Sequence, residues 1–144
     1  MIRGFFDVHR GPHPWVTAGV LLSGYSQQWV PVDFLVDTGA ATTCLHPNDA
    51  ILRVGISPLR LALPQMWARK SGRHGVGGSG QYYTVDASYA FLHDSTNELQ
   101  VIQGTVDIAQ MTPRNETLPS LLGWDILRYF KITVDSKAGT VILE

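Results

Sequence analysis

The sequence predicts an all-β domain, closed into a barrel. Three observations carry that prediction. Short apolar stretches alternate with polar residues along most of the chain. Gly, Pro, Asn and Asp punctuate them at short intervals. One stretch, Tyr82 to Phe91, alternates over its whole length.

At 144 residues the chain is read as a single domain, residues 1–144, large enough for a real core. Hydrophobic content of 44% and charged content of 16% belong to a folded protein rather than to a disordered tail. A net charge of −1 argues against nucleic acid as the main partner. Cys44 is the single cysteine, so an internal disulfide framework is excluded, and a reducing, cytoplasmic location is the expectation. Cys44 itself is expected to be a small core residue, as free cysteines usually are. No apolar stretch reaches the ~20 residues of a membrane span, and no signal-peptide core opens the chain, so no membrane partner is expected.

The elements follow in order. Ile2 to Val8 is a short strand broken by Gly11-Pro12-His13-Pro14. Trp15 to Leu22 is a second strand and Trp29 to Val36 a third. In the third, alternation puts Val32, Phe34 and Val36 on one face and Asp33, Leu35 and Asp37 on the other. Asp33 is expected to be an exposed strand carboxylate. Pro47 to Arg53 suits a short helix ending at Gly55, with Asn48 or Asp49 as its cap. Leu59 to Leu63 is expected as a strand stopped by Pro64. A basic stretch, Arg69 to His74, runs into Gly75-Val76-Gly77-Gly78-Ser79-Gly80, which reads as the tip of a mobile hairpin, since glycine is costly inside helices and strands. The long strand Tyr82–Phe91 follows. His93 to Glu98 is a turn, and Leu99 to Ile108 a strand with Gly104 as a possible bulge. Met111 to Pro119 is a surface loop, and its Asn115-Glu116-Thr117 matches a glycosylation acceptor that nothing else supports. Leu121-Leu122 is a strand ending at Gly123, followed by a short helix to about Phe130 with Asp125 near its positive end. Lys131 to Asp135 and Thr140 to Leu143 close the chain as a hairpin.

One stretch organises the rest: Phe34-Leu35-Val36-Asp37-Thr38-Gly39-Ala40. An apolar strand ends at a carboxylate, which is expensive to keep at a strand end directed into the protein unless it is hydrogen-bonded or useful. Gly39 permits either a turn conformation or a close backbone approach. Asp-Thr-Gly alone arises in roughly three of every hundred chains this long. The apolar lead-in, Ala40 and the later Leu121-Leu122-Gly123 make it specific.

Competing sites are weaker. His9, His13, His46, His74 and His93 have no metal-ligand spacing, so no metal or other cofactor is expected. The glycine run lacks the Lys-Ser/Thr ending of a phosphate loop. Arg69, Lys70 and Arg73 read as a solvated loop, or as an attractor for an acidic substrate segment.

Taken together, Asp37-Thr38-Gly39-Ala40, the glycine run around Gly75 to Gly78 and Leu121-Leu122-Gly123 resemble the retropepsin-like aspartic peptidases, from about Trp15 to Leu143. The resemblance implies a closed β barrel with a flap hairpin and a short C-terminal helix, acting as an aspartic endopeptidase on peptide or protein substrates. It implies a homodimer in which two Asp37 side chains share one site. It gives Asp37, Thr38 and Gly39 catalytic roles, Thr38 by a hydroxyl bond across the dimer and Gly39 through its carbonyl. It gives Ala40, Ala41, Val76, Gly77 and Gly78 substrate-binding roles, with Val76 at the flap tip. Retroviral members pair an acid after this motif with an arginine after the late glycine. Here those positions are Ala41 and Trp124, so apolar packing is expected in place of the ion pair, and the chain looks closer to non-viral members. The alternative is a catalytically silent domain of the same fold that binds peptide or dimerises.

Overall fold

The computed structural model describes residues 1–62, 70–75 and 78–144. They form a mostly β structure with a few short helices. The order is β1 (Ile2–Phe6), β2 (Pro14–Leu22), β3 (Val30–Val36), β4 (Cys44–Leu45), α1 (Pro47–Leu52), α2 (Pro58–Ala62), β5 (Lys70–Gly75) and β6 (Gly78–Leu92). Then come β7 (Leu99–Ala109), β8 (Leu121–Leu122), α3 (Trp124–Leu127), β9 (Ile132–Asp135) and β10 (Thr140–Leu143).

The strands join in the order β5-β6-β7-β4-β8-β3-β2-β1-β10-β9, and β6 also pairs with β2. That extra pairing makes the run β2-β6-β7-β4-β8-β3 return on itself. Most neighbours are antiparallel, but β3 runs parallel to β8 and β4 parallel to β7. Beyond the circuit, β10 is paired on both sides, with β1 from Ile2↔Leu143 to Gly4↔Val141 and with β9 from Thr140↔Asp135 to Leu143↔Ile132.

The core is where the period-two reading of β3 placed it. Val32, Phe34 and Val36 are buried, while Asp33, Leu35 and Asp37 are only half-buried. Phe34 meets Tyr89 of β6 edge-on with ring centroids 6.3 Å apart, and the Tyr89 hydroxyl donates to Thr105 O at 2.7 Å. That bond satisfies the polar tip of an otherwise fully buried ring. Cys44 is buried, as expected of a small core residue.

Five local expectations are corrected. The strand expected from Leu59 to Leu63 is not found over Leu59–Ala62, with Leu63 outside the described residues: Pro58–Ala62 is helical, and Leu61 N–H donates to Ser57 O four residues back. Proline presets the first helical position, and the chain buries Leu61 while exposing Leu59, so the Leu59/Leu61 alternation was not a sheet face. The helix α1 is capped neither by Asn48 nor by Asp49. His46 holds the N-cap position in extended conformation without a side-chain bond, and Pro47 again starts the helix. Gly104 makes no bulge. The β6–β7 register runs unbroken through Ala87↔Gly104, and Ile126 of α3 packs beside the glycine. Glycine does enter strand interiors: β5 and β6 pair from Lys70↔Tyr83 to Gly75↔Gly78 and take in Gly72 and Gly80. The long, otherwise regular β6 carries the ladder across them. The helix α3 also ends at Leu127 rather than near Phe130.

Candidate active site

Asp37 is fixed first by its main chain. Leu35 and Val36 pair with Leu121 and Leu122 of β8. Leu35 N–H donates to Ser120 O at 2.9 Å, and Asp37 N–H donates to Leu122 O at 3.1 Å. The strand therefore delivers the carboxylate at a defined height above β8. The chain then turns, with Ala40 N–H donating to Asp37 O at 3.2 Å. Within the turn Gly39 N–H donates to Asp37 Oδ1 at 2.9 Å. A Cβ on Gly39 would stand 3.2 Å from that same oxygen, tighter than side chains usually tolerate. Of the two reasons for a glycine here, close approach to the carboxylate is the one that applies.

The loop is held from beneath by the segment after β8. Trp124 N–H donates to Ala40 O at 2.9 Å and Asp125 N–H to Ala41 O at 3.1 Å, so the first free donors of α3 are satisfied by the Asp37 loop. The indole Nε1 of Trp124 donates to Thr38 O at 2.6 Å. Gly123 packs so closely on Thr42 that a Cβ would lie 2.5 Å from its carbonyl carbon. No side chain fits there.

Sequence reasoning missed the polar layer below. Asp125 was read only as a partner of the helix dipole. Its carboxylate accepts Thr43 N–H at 2.9 and 3.0 Å and Thr43 Oγ1–H at 2.7 Å. Thr43 Oγ1 in turn accepts Gly123 N–H at 3.0 Å. Asp107, buried on β7, accepts from Thr42 Oγ1 at 3.0 Å and from Thr84 Oγ1 at 2.6 Å. A second knot ties α1 to β8: Ser120 Oγ–H donates to Asp49 at 2.6 Å and accepts His46 N–H at 3.1 Å. His46 Nδ1 lies 2.5 Å from Pro119 O and therefore carries the proton of its neutral ring. Burial pulls His46 below the usual imidazole range, partly opposed by the Pro119 bond and the nearby Asp49. The threonines gave no signal, because Thr-Thr after a turn is common in strands that need no carboxylate.

The expected site residues divide as follows. Asp37 and Ala40 are half-buried, and Thr38, Gly39 and Ala41 are exposed, all on one loop. Gly78 opens β6 opposite Gly75. Val76 and Gly77 lie outside the described residues. Asp33 is structural: it accepts Arg10 Nη1 at 3.0 Å and Thr17 Oγ1 at 2.7 Å, and the Arg10 guanidinium stands 5.0 Å over the Trp15 ring. A cleft of about 690 Å3 is lined without Asp37 or any other residue of its loop. Its walls include Trp15, Leu35, Leu52, Leu118 and Pro119, with Arg10, Asp33, Asp49 and Arg53 among them. Among the described residues no group of three or more His, Cys, Asp or Glu is placed to hold a metal ion, and no helix is long and apolar enough to cross a membrane.

No family model matches the chain, and no curated protein matches it. Among solved structures the chain is similar to the EIAV protease complexed with the inhibitor HBY-793, at 18% identity and a TM-score of 0.43 over 81% of this chain and 86% of that one. A likeness at that level assigns neither family nor activity.

Proposed function

We propose that this chain is a retropepsin-like aspartic endopeptidase, a closed barrel that works as a homodimer with two Asp37 carboxylates at one site. The observation that carries the reading is the Asp37 loop itself. A half-buried carboxylate accepts Gly39 N–H and is fixed above β8 by main-chain bonds, on a loop whose carbonyls are taken up by α3. A purely structural acid would have its oxygens consumed by donors from other elements, as Asp33 does. The circuit of strands supports the barrel. The β5–β6 hairpin, with its glycines, supports a flap that closes over substrate through Val76, Gly77 and Gly78.

Two carboxylates facing each other across a two-fold axis hold one proton between them. The ionised one takes a proton from a water, whose oxygen bonds to the scissile carbonyl carbon. The protonated one donates a hydrogen bond to the carbonyl oxygen. Collapse breaks the C–N bond as a carboxyl proton passes to the leaving nitrogen, and the pair returns to its starting state. Gly39 and the exposed Ala41 line the entry for an extended peptide, and the cleft along Leu35 receives a neighbouring side chain.

Incubation with an unfolded protein across pH, with pepstatin and the Asp37→Asn variant as controls, tests the reading. Cleavage on the acid side of neutrality that needs Asp37 is the expected result. Peptide binding without cleavage at any pH would make the chain a silent binding domain.

A further inference from the structure

The Trp124 side chain is 44% exposed, although its Nε1 is already committed to Thr38 O. A half-exposed indole held by its own N–H is a rigid apolar surface. Bonding fixes its orientation next to the Asp37 loop, while part of the ring remains exposed. Tryptophan loses little conformational freedom on contact, which makes it a strong interface anchor.

From this geometry we infer that a second copy of the chain covers Trp124, and that the two indoles flank the paired Asp37 carboxylates as the anchors of the dimer. The inference rests on the paired-carboxylate reading above and adds where the copies touch. Each chain brings one Asp-Thr-Gly, so the site is incomplete without a partner copy. Any two-fold axis that puts both Asp37 carboxylates on one water passes within a few ångströms of each. Adjacent Cα atoms are about 3.8 Å apart, and the indole is bonded to the residue next to Asp37, so both indoles come close to that axis.

Strand addition at β10, the other way to bring two copies together at this end of the sheet, is closed. An extra strand from a partner needs a free edge, and β10 has none, since β1 and β9 occupy both its sides. That leaves β9 as the open edge at this end of the sheet, on an element separate from the Asp37 loop.

The test compares dimer dissociation of the wild type with that of Trp124→Lys and Trp124→Phe by sedimentation, with circular dichroism as the check on folding. The lysine variant should dissociate at about tenfold or more higher concentration than the wild type, and the phenylalanine variant within about threefold of it. Peptidase activity of the lysine variant should reappear as its concentration rises. Covalent footprinting of Trp124 in the wild type gives a second reading that needs no variant. Labelling should be low above the dissociation constant and rise on dilution through it. A wild-type dimer whose Trp124 labels equally at both concentrations, or whose dissociation the lysine change leaves unaltered, overturns this interface while sparing the paired-carboxylate mechanism. A wild type that cleaves peptide as a monomer overturns both.

Discussion

The indole nitrogen of Trp124 donates to the carbonyl oxygen of Thr38 at 2.6 Å, across 86 positions of sequence. This contact stands where a charged pair was absent from the sequence, and it is directional where apolar packing alone was expected. It ties the residue after the carboxylate to the first turn of α3. Trp124→Phe should keep most of the packing and lose the bond. The expected cost is about 1 kcal/mol of stability, read as a lower denaturation midpoint with an unchanged slope. An unchanged midpoint would show that the bond has no net worth.

Replacing Asp37 by Asn keeps the shape of the side chain and an oxygen able to accept Gly39 N–H. It removes the proton chemistry. Peptide turnover should fall by about 10³-fold or more, with thermal stability and dimer dissociation close to wild type. Turnover within tenfold of wild type would remove Asp37 from the mechanism.

The polar layer predicts a second class of effect. In Thr43→Val the Gly123 N–H loses its acceptor in a buried place. The change should cost about 1–3 kcal/mol, measured by urea unfolding. Under the proposed function, activity per folded protein should fall too, because Gly123 and Trp124 position the Asp37 loop. A neutral result would mean the layer relaxes around the loss.

Gly123→Ala probes the same place by shape. The added carbon would sit 2.5 Å from the Thr42 carbonyl carbon and 2.9 Å from its nitrogen. Backbone must move, at a cost of about 1–3 kcal/mol. A crystal structure with Thr42 undisplaced and an unchanged melting temperature would contradict the packing described here.

The pH dependence of stability follows from His46. Its folded-state pKa is depressed by burial, so the fold prefers the neutral ring. For such a group the stability contribution is complete above the unfolded value of 6.5 and is lost as pH falls from there through the lower folded value. Urea midpoints should therefore decline on acidification below about pH 6.5. His46→Asn should flatten that decline. The decline opposes the acid preference of the proposed Asp37 pair, so on that reading wild-type activity should pass through a maximum rather than climb steadily into acid. A midpoint independent of pH between 7.5 and 5, to quote roughly the window set by ordinary imidazole titration, would exclude His46 as its source.

The parts legible in the sequence were those with a period or a local rule. The alternation through Val32, Phe34 and Val36 located the core face, and Asp37-Thr38-Gly39-Ala40 located the loop. The strand expected at Leu59 failed because Leu59 and Leu61 satisfy period two by coincidence, over a stretch too short for a helical period to appear. Asp125 was visible but misread. Its partner Thr43 lies 82 positions away, and no local pattern marks a threonine that will bond a distant carboxylate. The indole bond of Trp124 was hidden for the same reason.

The parallel pairing of β3 with β8 has a consequence for how the molecule comes into being. Leu35 meets Leu121 and Val36 meets Leu122, so the two partners enter the chain far apart in time during synthesis. Closing such a span has an entropic cost that contacts repay only once both strands exist, and folds built on remote pairings form slowly. Until Leu121 to Asp125 emerges, Asp37 sits on a strand end with nothing beneath it, because the bonds from Leu122, Thr43, Trp124 and Asp125 all await that segment. A ribosome-bound chain stopped short of residue 121 carries the whole Asp-Thr-Gly motif without the β8–α3 side of its scaffold.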